Sequence, residues 1–134
     1  NINEAKKAYN FSNLESFLKI YYEGAKVLLK EKDFFELTWA YALKCKEDNI
    51  VHTEIFFDPQ THVNRGIHFE VVINGIYKAI TKANKELGLT SKIIMCFLRH
   101  LDEKSAFEIL DQALVHKNKI ECRGHKVILY NVYY

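Results

Sequence analysis

The stretch from Val51 to Leu98 constrains this chain more than any other part of it. It opens with VHTEIFF (residues 51–57), short, β-branched and aromatic, as suits a buried strand. It closes with IIMCFL (residues 93–98), a near-continuous apolar run of strand length, expected where both faces of a sheet are covered. Between them Phe69, Val72, Ile73, Ile76, Ile80, Ala83 and Leu87 recur at helical spacing, and Gly88 stands where that helix should stop. A strand, a crossover helix and a second strand define a right-handed βαβ unit with a parallel pair. Further helices frame it. Ser12 to Glu15 reads as a capping box opening a helix with Leu14, Phe17, Leu18, Tyr21, Ala25 and Leu28 on one face. Asp33 to Glu36 repeats that pattern, and Phe34, Leu37, Ala40 and Tyr41 begin a second apolar face that fades near Asp48-Asn49. Asp102 is placed to cap a last helix through Leu114, with Ala106, Phe107, Leu110 and Ala113 inward.

Parallel α/β sheets bind ligands beyond the carboxyl ends of their strands. That rule selects Phe57-Asp58-Pro59 and Leu98-Arg99-His100 as the places to look for function. Asp58 follows an apolar strand and precedes the chain's one proline. It is either the start of an Asp-Pro turn or a carboxylate facing a site, and spacing leaves both readings open. Glu54 lies within the strand and is expected to be at least half buried, so it needs a partner. Arg99 or His100 is the sensible candidate, and a structural ion pair between strands is the plainer reading than catalysis.

Such a sheet is incomplete. Two parallel strands with four helices leave both outer edges unpaired, so the chain reads as the middle of something larger. Its ending, IECRGHKVILYNVYY (residues 120–134), has no helical pattern. The strand-like VILYNVYY within it either supplies a third strand or is a foreign ending.

Several function classes are disfavoured. The 134 residues suit one domain, with 49% apolar and 27% charged residues. A net charge of +2, with Lys and Glu interspersed, gives no nucleic-acid footprint. No apolar run approaches the ~18 residues of a membrane span, and no signal peptide opens the chain, so the expected compartment is the cytoplasm. Cys45, Cys96 and Cys122 are odd in number and far apart, which fits reduced thiols. The six histidines show no H-x-H, H-x-x-x-H or C-x-x-C spacing, so no zinc site is expected from this chain alone. Phosphate-cradling glycine motifs and a nucleophile elbow are absent as well.

Three segments resemble the adenosine/adenine deaminase family of zinc-dependent aminohydrolases, and within it the adenine deaminase branch. They are NLESFLKIYYEGAKVL, DFFELTWAYALKCKEDNIVHTEIFFDPQTHVNRGIHFEVVINGI and IIMCFLRHLDEKSAFEILDQAL, in the family's order from about Phe11 to Leu114. The resemblance implies an α/β fold that is a partial (β/α)8 TIM barrel: two parallel strands, or three with the tail, and flanking helices. Residues 1–120 would be the partial barrel and 121–134 a divergent tail, since the family's Gly-rich fourth-strand segment has no match there. The reaction implied is hydrolytic deamination of adenine to hypoxanthine and ammonia, with a zinc-bound water as nucleophile. Adenosine deamination, or a non-catalytic interaction module, is the alternative.

By the same resemblance no catalytic residue and no metal ligand falls in this chain; those positions lie before Asn1 or beyond Tyr134. What falls within it is pocket wall: Leu14, Phe17, Leu18 and Tyr21 on a hydrophobic gate helix, Leu98 beside the purine, and Asp58 where the adenosine-type enzymes place a small residue near the sugar. Glu54, Arg99 and His100 become rim supports. The expected partner is a purine, with no nucleic acid or membrane, and with self-association through exposed strand edges.

Overall fold

A computed structural model describes residues 11–98 and 100–120. The chain divides into two compact units, with the boundary between Leu29 and Lys30. In the first, helix α1 runs over Leu14–Ala25. Its cap is Asn13 rather than the expected Ser12. The Asn13 carboxamide accepts the Ser16 N–H at 2.9 Å, and the Ser16 hydroxyl accepts the Asn13 N–H at 3.3 Å. Ser16 takes the part expected of Glu15, so the box is the one anticipated, shifted by one residue. Phe17 packs edge-on against Phe11 and stacks on Tyr21, with ring centroids 4.9 and 6.3 Å apart.

The second unit contains α2 (Glu31–Glu47), β1 (His52–Phe57), α3 (Pro59–Val63), α4 (Phe69–Leu87), β2 (Thr90–Met95) and α5 (Glu103–Leu114). The strands pair in parallel, His52 opposite Thr90 through Phe57 opposite Met95. This is the βαβ unit the hydrophobic pattern predicts. Helix α4 begins and ends at the expected residues, and Gly88 closes it at φ 69°, a left-handed conformation that glycine adopts without steric cost. β2 occupies an earlier segment than its apolar run suggests. Its polar start, Thr90 to Lys92, pairs with β1, while Cys96 to Leu98 lie beyond its end.

The core forms where α4 meets α2 and the sheet. Ile73, Val72, Leu89 and Ile93 are fully buried there. α2 starts earlier than the Asp33 pattern suggests: Asp33 lies inside its first turn, and its carboxylate accepts the Lys30 N–H at 2.8 Å. Its buried face is Phe34, Thr38, Ala42 and Cys45. Leu37, Ala40 and Tyr41, expected inward, are exposed. The apolar residues on α2 outnumber those one neighbouring helix can cover, so the pattern could not choose the face. α5 shows the same: Ile109 and Ala113 are buried, whereas Phe107 is 57% exposed. Asp102 caps α5 as expected, its carboxylate accepting the Ser105 N–H at 2.8 Å.

Candidate functional site

One face of the two-stranded sheet is covered and the other is not. Thr53 and Phe57 are buried, and the Phe57 ring lies 6.2 Å from that of Phe69 on α4. His52, Glu54 and Phe56 alternate onto the opposite face and are all exposed. This corrects the expectation for Glu54. Its side chain is 51% exposed and lies 4.0 Å from His52 Nε2. Lys92 stands opposite it in the register. That exposure leaves Glu54 without the burial on which the expected inter-strand ion pair rests. Arg99 falls outside the described residues, and His100 is exposed beyond the end of β2.

At the carboxyl ends of the strands the chain turns sharply. Cys96 donates its N–H to the Phe57 carbonyl at 3.0 Å, carrying the pairing one step past β2. Asp58 occupies the position before α3, with Pro59 in the first turn of that helix. The backbone thus does what an Asp-Pro turn does. The Asp58 carboxylate makes no capping hydrogen bond, however. It is partly buried, and burial raises its pKa above the ordinary 3.8. Cys96 feels it: burial and then the nearby Asp58 charge push the thiol up to about 11. The Asp58 carboxyl therefore stands beside Cys96 at the strand ends, desolvated and unused by the turn.

α3 is the element the sequence did not announce, because five residues are too few to show a period. It carries Gln60, 1% exposed. The Gln60 Oε1 accepts the Leu98 N–H at 2.8 Å, and its Nε2 donates to the Ser105 hydroxyl at 2.7 Å. One side chain thereby joins the segment after β1, the segment after β2 and the start of α5. His62 is held nearby. Its Nδ1 lies 2.8 Å from Arg65 Nη2, its ring meets Phe34 edge-on at 4.8 Å, and burial followed by the Arg65 charge lowers its pKa from 6.5 to about 4. The imidazole is neutral at physiological pH and accepts from Arg65. Thr61 Oγ1 is buried with no hydrogen-bond partner among the described residues.

Of the residues singled out in the sequence, Asp58 and Leu98 are brought to the same end of the sheet, and Gln60 ties the two segments together. Leu14, Phe17, Leu18 and Tyr21 lie on α1, in the other unit, where Leu14 and Tyr21 are exposed. Among the described residues no group of three or more His, Cys, Asp or Glu side chains could hold a metal ion. No helix among them is long and apolar enough to cross a membrane. The tail from residue 121, and with it the expected third strand, lies outside the described residues.

A parallel βαβ unit with a partly buried carboxyl and a clamped loop at its strand ends defines a piece of an α/β protein, a class of fold that binds ligands at the carboxyl ends of its strands. Residues 1–122 match the adenosine deaminase family, and the chain belongs to it. It is 62% identical over 119 residues to an adenine deaminase of Wolinella succinogenes, spanning 89% of this chain and 36% of that protein. It is 58% identical over 123 residues to an adenine deaminase of Acinetobacter baylyi, spanning 92% of this chain and 37% of that one. The crystal structure of adenine deaminase from Arthrobacter aurescens superposes with a TM-score of 0.85 at 38% identity, over 90% of this chain and 37% of that one. A zinc-bound amidohydrolase from Burkholderia ambifaria shares the fold, with a TM-score of 0.64 at 19% identity over 72% of this chain and 29% of that one. The α/β fold expected from the sequence, part of a (β/α)8 barrel, is borne out. The chain spans little more than a third of the length of the relatives it matches.

Proposed function

We propose that this chain is the second-and-third-strand segment of an adenine deaminase, residues 1–120 belonging to the barrel and 121–134 being a divergent tail. The reaction is adenine plus water giving hypoxanthine plus ammonia. In this reading a zinc ion would supply that chemistry by lowering the pKa of its bound water. The described residues offer no ligand set for it, and in this reading their contribution is to shape and select.

The observation that carries this reading is the Asp58 carboxyl, desolvated and free of any capping bond on the carboxyl rim. Free adenine has a ring N–H at the nitrogen that carries ribose in adenosine. A rim carboxyl accepts that N–H and occupies volume the sugar would need, and both effects favour the free base. Leu98 gives the purine an apolar wall. By itself, α1 carries in Leu14, Phe17, Leu18 and Tyr21 a face of the aromatic and aliphatic kind on which purine rings pack. Glu54, Arg99 and His100 are rim supports in this reading. The 62% identity to the Wolinella adenine deaminase supports it.

The test exchanges the matching segment of the Wolinella enzyme for this chain. The chimera should deaminate adenine in preference to adenosine, and Asp58→Ala should cut that preference by about ten-fold, the equivalent of one charge-assisted hydrogen bond. A chimera that prefers adenosine, or an alanine variant with unaltered preference, overturns the reading.

A further inference from the structure

Gln60 is a polar side chain where an apolar one would fill the same space. It is 1% exposed, so its amide would be costly there unless fully bonded. Both ends are bonded, and to different elements: Oε1 to the Leu98 N–H at 2.8 Å and Nε2 to the Ser105 hydroxyl at 2.7 Å. The orientation of the amide is forced, because a backbone N–H can only donate and so must meet the oxygen. Ser105 is fixed in turn by the Asp102 carboxylate, which accepts its N–H at 2.8 Å. Two residues before Gln60 stands Asp58. The amide therefore sets, by directional bonds rather than by filling, where the Leu98 backbone lies relative to the Asp58 turn.

We propose that Gln60 is a positioning residue for the purine site, holding Leu98 and Asp58 at the separation that selects the free base. The inference rests on the function proposed above and deepens it. Gln60 touches no substrate; it acts through the two residues that wall the pocket. A side chain needed only for folding changes how much enzyme is active. One that spaces a pocket changes KM and the choice between substrates, which do not depend on the active fraction.

The experiment uses the chimera of the Wolinella enzyme carrying this chain, with Gln60→Met, Gln60→Glu and Ser105→Ala. Methionine keeps the length and loses both bonds. Its KM for adenine should rise roughly ten-fold, the equivalent of one buried hydrogen bond, with a matching fall in adenine-over-adenosine preference. Glutamate still accepts from the Leu98 N–H and should recover most of both, and Ser105→Ala should fall between. In parallel, amide exchange on the full chain should show Leu98 losing about ten-fold in protection in Gln60→Met, while Cys96, bonded to the Phe57 carbonyl, keeps its own. A methionine variant with parental KM and preference and only a lower kcat overturns the proposal, as does unchanged Leu98 exchange. An inactive unsubstituted chimera overturns the functional reading instead, and the exchange measurement then judges the clamp by itself.

Discussion

At the scale of single residues, burial shifts the pKa of three titratable groups around the strand ends towards the uncharged form, and their pH dependences differ in sign. His62 titrates near 4 in the folded chain against an ordinary 6.5, so it favours the neutral form. The stability this contributes is complete above the unfolded value and is lost as pH falls from about 6.5 through about 4. His62→Gln, which cannot gain that proton, should lose less stability than the parent across this window in chemical denaturation at stepped pH. Parallel slopes would refute it. Asp58 runs the other way. Burial raises its pKa above 3.8, so its contribution is present below that value and lost as pH rises through the folded pKa. Asp58→Asn should therefore match the parent in acid and become the more stable of the two towards neutrality, read as the difference in Tm. Cys96, with its thiol pushed up to about 11 inside the fold, should resist iodoacetamide at pH 8 until the chain is denatured. Peptide mapping that finds it alkylated in the native protein would contradict that. None of these shifts was legible in the sequence, where Asp58 was poised between turn and site. In the structure its backbone makes the turn, while its side chain makes no capping bond.

At the scale of elements, the contact between α2 and α4 is set by a gap rather than by a side chain. A Cβ on Gly75 would lie 2.5 Å from the Glu31 carbonyl oxygen and 2.6 Å from Phe34 Cβ. Both are rigid neighbours, so the helices would have to move apart. Gly75→Ala should destabilise the chain by about 1–3 kcal/mol, as overpacking does, despite alanine's better helix propensity. Urea denaturation measures it, and a variant as stable as the parent would mean the helices slide freely. Above the contact, Lys82 sits 3.6 Å from the centre of the Trp39 ring and Lys78 pairs with Glu31. The periodicity of α4 was readable because its apolar stripe is single and ends in a left-handed glycine. That of α2 was not, because Leu37, Tyr41 and Leu43 add apolar positions outside the buried face, and all three are exposed.

At the scale of the whole chain, those exposed faces are the dominant feature. The sheet has two strands, so among the described residues each has a single neighbour, and Phe56 is exposed on the uncovered side. Phe107, Leu114 and Val115 are exposed near α5. Apolar surface with open strand edges favours association. The isolated chain should form oligomers whose size grows with concentration in sedimentation velocity. A single monomeric boundary across a hundred-fold range in concentration would count against this. Its relatives are about two and a half times as long, which fits faces that further chain would cover.

The sequence by itself determined the order of every element but α3, the parallel crossover, the stop at Gly88 and the family, because each depends on local periodicity or on strings of residues preserved in order. It also located the carboxyl rim, since that follows from topology. Only the tertiary structure decided which face of α2 and α5 is buried, that Glu54 is exposed, and that Gln60 joins three segments. Those outcomes depend on which partner surface is present and on hydrogen bonds between residues 38 and 45 positions apart, which no local pattern encodes. Asp58 shows the division most plainly. Its place at the end of a strand is written in the chain, but the desolvation of its carboxyl comes from what packs around it.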